Sequence, residues 1–510
     1  MGAELTTAAH PGRVVAPTTA RAESDETAQF RAYRRAAATC ALVALAPLLL
    51  TTYAPLVDYP NHLARAYILR HFAEVPAFAA DYVLAPAPIP NVAIDVAVLG
   101  LQYVFPPVLA GKAFLAGVVL LWCLGVHLLG RAIHGRPTWL ALPCMLLAYH
   151  GAFQYGFVNY SLGLGAYFVG TAAWLARRGR WTPLGVAGVS ALAVFAYLSH
   201  LSSYALFGAT AVAVTCYDLA RRRVGLAQAL LGGVPFLPPL VLFAAFMRGG
   251  GRVGGLVWNS VAGKAVAVFT VLRGYFLPLD VAVLAGLALV VAASLAAARR
   301  AGRISAHGAT LAASLFLFAL FLACPKDLFT SGGADVRVVP AAAVLFVLSW
   351  RLTLPPRAAG ALLGAAVALL LVRTASIATA WVALDARVAR AVALIDRVPV
   401  GSRLLPLFKP GEGVDRAKWD RVLEHAPYYA IIDRQAYVPI LFAVRSQQPL
   451  VARRYAWSTI TAGDLLADHL DEFDHVWAFG PTPAQAERLR GCCDLVGADG
   501  GALLWRVRRP

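Results

Sequence analysis

The chain has 510 residues, of which 59% are hydrophobic and only 14% charged, with a mean hydropathy of +0.66. This balance excludes an ordinary soluble globular protein and points to a chain that crosses a membrane many times. The net charge of +18 does not indicate nucleic acid, because the arginines fall in short clusters between apolar runs, the pattern that orients membrane helices.

Residues 1–35 are expected to form a disordered cytoplasmic tail; the first thirty are polar, rich in Ala and Thr and without hydrophobic period. Arg31, Arg34 and Arg35 then precede an apolar run from Ala36 to Tyr53 that has no small-residue cleavage site, so it reads as a retained signal anchor. It opens a transmembrane domain expected over 36–383. Directly after it, "TTYAPLVDYPNHLARAYIL" (51–69) places Asp58, Asn61 and His62 within five residues. Pro60 suits the first turn of a helix starting near Asp58, and on that helix Asp58, His62 and Arg65 share one face. Locally, Asp58 reads equally well as an N-cap and His62 as an interfacial residue. The run "NVAIDVAVLGLQYVF" (91–105) is short and carries Asp95. Counting it as a span would move the next arginine cluster to the outer side, so it reads as a re-entrant or interfacial helix inside a long first outer loop, 54–107.

The interior arginine clusters lie at Arg131 and Arg136, at Arg177, Arg178 and Arg180, at Arg221, Arg222 and Arg223, at Arg299, Arg300 and Arg303, and at Arg351 and Arg357. Placing each in the cytoplasm puts outer turns at Tyr149–Phe157, Ser199–Ser203, Met247–Leu277 and Cys324–Arg337 and gives roughly eleven spans of about twenty residues each. Asn159, Tyr160 and His200 sit at the outer ends, where they serve either as hydrogen bonds between helices or as pocket-lining groups. Arg65, Arg70, Arg248, Arg252, Lys264, Arg273, Lys326 and Arg337 are basic residues on the outer side, against the positive-inside tendency. Arg337 stands out because "GGADVRVVP" (332–340) combines a glycine pair with the start of a span, and guanidinium groups bind phosphate bidentately. Asp95, Asp280 and Asp335 are the remaining acidic candidates. The seven cysteines show no metal-ligand spacing.

From about Leu384 charges rise and apolar runs shorten, and 384–510 is expected to be a small α/β domain outside the membrane. Strand-like runs "RLLPLF" (403–408), "YYAIID" (428–433), "HVWAFG" (475–480) and "ALLWRV" (502–507) alternate with helix starts, of which Thr482–Gln485 is a capping box and Thr461–Asp464 a weaker one. No residue of this domain is assigned to catalysis.

An acidic motif just after the first span, a long first outer loop with an embedded short helix, many spans and a C-terminal extracytoplasmic domain together resemble the GT-C superfamily of membrane glycosyltransferases. In residues the resemblance rests mainly on "LVDYPNHLARA" (56–66). It implies an α-helical polytopic membrane protein of about eleven helices that transfers a hexosyl or pentosyl group from a polyprenyl-phosphate donor. The acceptor would be a lipid, glycan or protein at the outer face of the cytoplasmic membrane. It makes Asp58 the base and His62 its orienting partner, with Asn61, Arg65, Asn159, Tyr160, His200, Lys326 and Arg337 binding substrate. Many members carry paired acids in this loop, whereas Asp58 is followed by Tyr59, Pro60, Asn61 and His62. No metal is therefore assigned, although Asp58 with His62 could hold a divalent ion. One carboxylate suffices when the leaving group is already a phosphate. The rivals are a transporter or flippase of lipid-linked saccharides and a non-catalytic protein of envelope assembly. The former leaves the long first loop and the C-terminal domain without a purpose.

Overall fold

The computed structural model describes all residues except 1–17, 86, 249–254, 302–303, 329–331, 353, 445–446, 458 and 510. Arg252, Arg303 and the first seventeen residues of the expected tail lie outside the described residues. The chain is helical from Thr18, where α1 (Thr18–Leu49) begins, so residues 18–35 continue the first span as helix instead of forming a loose tail.

After α1 the first loop folds as α2 (Tyr59–His71), a short strand β1 (Tyr82–Leu84) and α3 (Ala93–Leu101). The nine residues of α3 rise only about 13 Å, too little for a hydrocarbon core of about 30 Å, so the 91–105 run does not span. There follow α4 (Pro107–His134), α5 (Val158–Arg177), α6 (Pro183–Ser199), α7 (Leu201–Ala220), α8 (Leu226–Arg248), α9 (Leu277–Arg300), α10 (Gly308–Ala323), α11 (Val339–Ser349) and α12 (Pro356–Ala393). Among the described residues six helices are long and apolar enough to cross a membrane: α1, α4, α7, α8, α9 and α12; α6, α10 and α11 are shorter apolar helices. Val241, Val281, Leu289 and Val291 stand half or more exposed on α8 and α9. Water would not tolerate such a belt, but lipid does.

The helix directions sort the polar groups into two ends. The Leu50–Asp58 segment, the N-termini of α5 and α11 and the turn before α9 meet at one end, where Asp58 N–H donates to the Tyr155 carbonyl (3.1 Å) and Gln154 Nε2 to that of Arg273 (2.7 Å). The arginine-bearing turns gather at the other. There Arg351 Nε donates to His134 Nδ1 (3.1 Å), and Arg178 pairs with Asp218 (3.0 Å).

The 38 residues of α12 continue straight into the C-terminal region, and Leu384, Val388 and Ala391 are buried there. The expected boundary at 384 thus falls inside one continuous helix. Beyond it lie β2 (Leu404–Phe408), β3 (Leu450–Ala452), α13 (Ala462–Asp468), β4 (His475–Phe479), α14 (Pro483–Cys492), β5 (Cys493–Asp499) and β6 (Ala502–Val507). They build a four-stranded sheet of order β2-β4-β6-β5, parallel between β2 and β4 and antiparallel elsewhere. Both capping boxes form, at Thr461 with Asp464 and at Thr482 with Gln485. "YYAIID" is not a strand. It falls in a 3-10 turn and the helix Tyr429–Arg434. Tyr428, Tyr429, Ala430 and Ile431 are all buried in succession, where a half-buried strand would alternate, and Pro427 opens the helical turn. β1 of the first loop pairs antiparallel with β3, Tyr82 opposite Ala452 and Leu84 opposite Leu450. The first loop and the C-terminal region are thereby joined in one ribbon.

Candidate active site

Asp58 is the N-cap residue of α2, with Pro60 in the first turn, but its side chain makes no capping hydrogen bond. The segment leading to it is anchored from α12: the Asp385 carboxylate accepts from the backbone N–H of Thr52 (2.9 Å) and Tyr53 (2.7 Å). Gly156, at φ +99°, lies flat against Asp58, and a Cβ there would sit 2.5 Å from the Asp58 nitrogen. Asp58 is thus held by its backbone, and its carboxylate is left for other work. Its nearest ionisable partner is His425, whose Nε2 lies 3.6 Å from Oδ1.

The other acids are engaged. Asp95 takes a bidentate pair from Arg65, Nε to Oδ1 at 2.6 Å and a terminal nitrogen to Oδ2 at 2.9 Å, with both side chains buried. Asp335 is fully buried against Lys264 Nζ (2.9 Å) and Asn259 Nδ2 (2.7 Å). Asp280 accepts from the Gly274 N–H (2.7 Å). Of these four acids, Asp58 alone has no hydrogen bond to its carboxylate among the described residues.

Several expected ligands turn out to be joints of the scaffold. Arg65 is fully buried, and besides Asp95 it donates to the Phe442 carbonyl (3.0 Å) and contacts His62 Nδ1 (3.1 Å). Its donors therefore pin α2 to α3 and to the C-terminal region, leaving it no free face for a phosphate. His62 accepts that contact and sets its ring edge-on to Phe442, so it does not orient Asp58. Burial, then the neighbouring charges of Arg65 and His425, push its pKa well below the usual imidazole range. Asn61 accepts from the Phe442 N–H at Oδ1 (2.8 Å) and turns Nδ2 toward His425 Nδ1 (3.5 Å). Asn159 accepts from Ile94 N–H (2.8 Å) and donates to Asn91 (2.8 and 2.9 Å), fastening α3 to α5.

Arg337 is buried in the turn before α11, with its guanidinium over the Phe157 ring (4.6 Å to the centroid). Its carbonyl accepts from Tyr160 OH (2.5 Å). Burial lowers its pKa to about 10, partly offset by its surroundings, the Asp58 carboxylate among them. The Tyr155-Gly156-Phe157 segment therefore touches Asp58 at one end and Arg337 at the other. Tyr160 sets its ring edge-on to His200 (5.8 Å), and His200 accepts from Ser202 N–H (3.1 Å) as the N-cap of α7. The Lys326 side chain is exposed, and its carbonyl accepts from Ala334 N–H (2.7 Å), bracing the turn that carries Arg337.

Three partners carry no signal in the sequence. His425, Phe442 and Lys418 all come from the C-terminal region, where the sequence marks no site residue. Lys418 reaches Gln154 Oε1 (3.2 Å) and sits over the Tyr275 ring (4.5 Å). Among the described residues no three His, Cys, Asp or Glu side chains are grouped to hold a metal ion.

No known protein family's sequence profile matches the chain, and no curated protein sequence matches it. Among solved structures, ArnT from Cupriavidus metallidurans in the apo state is similar over 95% of this chain and 98% of its own, with 14% identity and a TM-score of 0.50. This chain has the ArnT fold. The same ArnT bound to undecaprenyl phosphate matches over 92% of this chain and 96% of its own, at 14% identity and a TM-score of 0.48. The helical, polytopic architecture expected from the sequence is the one the chain adopts.

Proposed function

We propose that the chain is an integral membrane glycosyltransferase that moves a sugar from a polyprenyl-phosphate donor to an acceptor hydroxyl at the outer face of the cytoplasmic membrane. The observation that carries this reading is that Asp58, free of hydrogen bonds to its carboxylate, and the buried guanidinium of Arg337 sit against opposite ends of the same 155–157 segment. In the reaction, Asp58 takes the proton of the acceptor hydroxyl as its oxygen bonds to the anomeric carbon. The bond from that carbon to the phosphate oxygen breaks, and the departing phosphate keeps the electron pair. Positioned base catalysis of this kind contributes on the order of 10² to 10⁴ in rate. A buried cation beside the developing phosphate charge acts without the reorganisation that water would need. The lipid-bound ArnT structure holds undecaprenyl phosphate, a ligand of the class proposed here as donor carrier. Tyr160 and His200, packed beside Arg337, are the groups proposed to line the sugar pocket, with Lys326 at its rim. On this reading residues 1–35 lie in the cytoplasm and residues 384–510 on the outer side. Incubating purified protein with a radiolabelled polyprenyl-phosphate sugar and a membrane lipid extract as acceptor tests the reading. A transferase releases free polyprenyl phosphate in step with labelled product, whereas a flippase or scaffold releases none.

A further inference from the structure

We infer that His425, presented by the C-terminal region, is the positioning residue of Asp58, with its tautomer set by Asn61. The inference rests on the proposed role of Asp58 as base and starts from a backbone group whose polarity is fixed. The Phe442 N–H can only donate, so the Asn61 side-chain atom 2.8 Å from it is the amide oxygen. That assigns the other end of the same amide, 3.5 Å from His425 Nδ1, as its NH2 group. An NH2 group only donates, so Nδ1 presents a lone pair and the neutral ring carries its proton on Nε2. Nε2 is the atom 3.6 Å from Asp58 Oδ1. The donor polarity therefore runs from Phe442 N–H to Asn61 and from Asn61 to His425, and it turns the Nε2–H of His425 toward Asp58 across the 3.6 Å contact.

This order has a chemical consequence. When the Nε2–H closes on Oδ1 it fixes the carboxylate rotamer and leaves Oδ2 to accept the acceptor's proton. The base is thus a particular oxygen in a particular direction, as a catalytic base of defined geometry requires. The ring is itself braced, with Phe442 and Tyr428 at 5.2 and 5.4 Å between centroids. The two polar contacts of His425 are 3.5 and 3.6 Å, and the positioning role requires the one to Asp58 to shorten to hydrogen-bond length with substrate bound. Because His425 and Phe442 follow α12 while Asn61 and Asp58 precede α3, the positioning works only with the C-terminal region docked on the first loop, as the β1–β3 ribbon holds it.

The test is a set of His425 variants and a double-mutant cycle in the full-length protein, with transfer from a radiolabelled polyprenyl-phosphate sugar as the assay. His425→Leu removes the donor and should lower kcat on the order of ten- to a hundredfold, the size expected of a misplaced catalytic group. KM for the donor lipid and the melting temperature should be little changed. His425→Gln, whose amide N–H can still donate to Asp58, should recover most of the loss. In an Asp58→Asn background His425→Leu should cost nothing further, because it acts through Asp58. The inference is overturned if His425→Leu turns over normally, if Gln rescues no better than Leu, or if the Leu and Asn losses multiply. An Asp58→Asn variant with normal turnover overturns the base assignment itself, whatever His425 does, so the two failures are distinct.

Discussion

Gly156→Ala probes the site without touching a proposed catalytic group. Gly156 has φ +99°, and an added Cβ would meet Asp58 at 2.5 Å from its nitrogen, 3.0 Å from its Cβ and 3.1 Å from its Cα. Ordinary contacts of this kind begin near 3.4 Å, so either Asp58 or the 155–157 segment shifts by roughly an ångström, a displacement that can cost about 10² in rate. The positive φ adds a backbone strain of about 1–3 kcal/mol, felt as a lower melting temperature. The expected result is a transfer rate reduced on the order of a hundredfold in a protein that still extracts and binds donor lipid. Gly188→Ala is the control: it lies within α6 with nothing inside 4 Å of its added Cβ, and it should be silent. Labelled-sugar transfer in detergent micelles, normalised to folded protein by fluorescence-detected gel filtration, provides the readout. Full turnover by Gly156→Ala would refute the placement of the chemistry at Asp58, because the backbone contact that positions that residue would not matter.

The remaining expectations concern the scaffold. Asp95→Asn strips the counter-charge from a fully buried Arg65 and should destabilise the protein by about 3–5 kcal/mol, whereas Arg65→Met with Asp95→Leu should recover much of it; melting curves decide. An Arg65→Met protein with unchanged melting but lost donor binding would return Arg65 to the phosphate site. His62 is held neutral by burial and by Arg65 and His425, so the unfolded chain takes up a proton that the folded chain resists. Stability from this residue is therefore full above about pH 6.5 and is lost as the pH falls below that value. His62→Phe should flatten the fall in melting temperature between pH 7 and pH 5; an unchanged slope would show that other groups cause it.

Features set by a few neighbouring residues could be read from the sequence. Pro60 after Asp58 does start a helix, both capping boxes form, and the short run carrying Asp95 does not span. Three of the four strand-like runs became strands of one sheet; "YYAIID" did not, because continuous burial in so short a run does not distinguish strand from helix. What could not be read was which charges meet. Arg65 resembles a phosphate ligand until Asp95, thirty positions on, is found against it. Asn61 and His425 lie 364 positions apart, with no motif around "EHAPYY" to join them. Periodicity and capping are local properties, whereas the neutralisation of a buried ion depends on how distant segments dock. In the sequence Asp58 is marked out only by its place in the chain; the structure adds the reason it differs from Asp95, Asp280 and Asp335, whose carboxylates are already hydrogen-bonded.

The most direct test of the account is the turnover of Asp58→Asn. Asparagine keeps the size of the side chain and caps a helix as well as aspartate does, so the fold and donor-lipid binding should persist. It cannot accept the acceptor's proton, and release of free polyprenyl phosphate should fall by a factor on the order of 10² to 10⁴. Release at close to the wild-type rate from a folded Asp58→Asn protein would contradict the account.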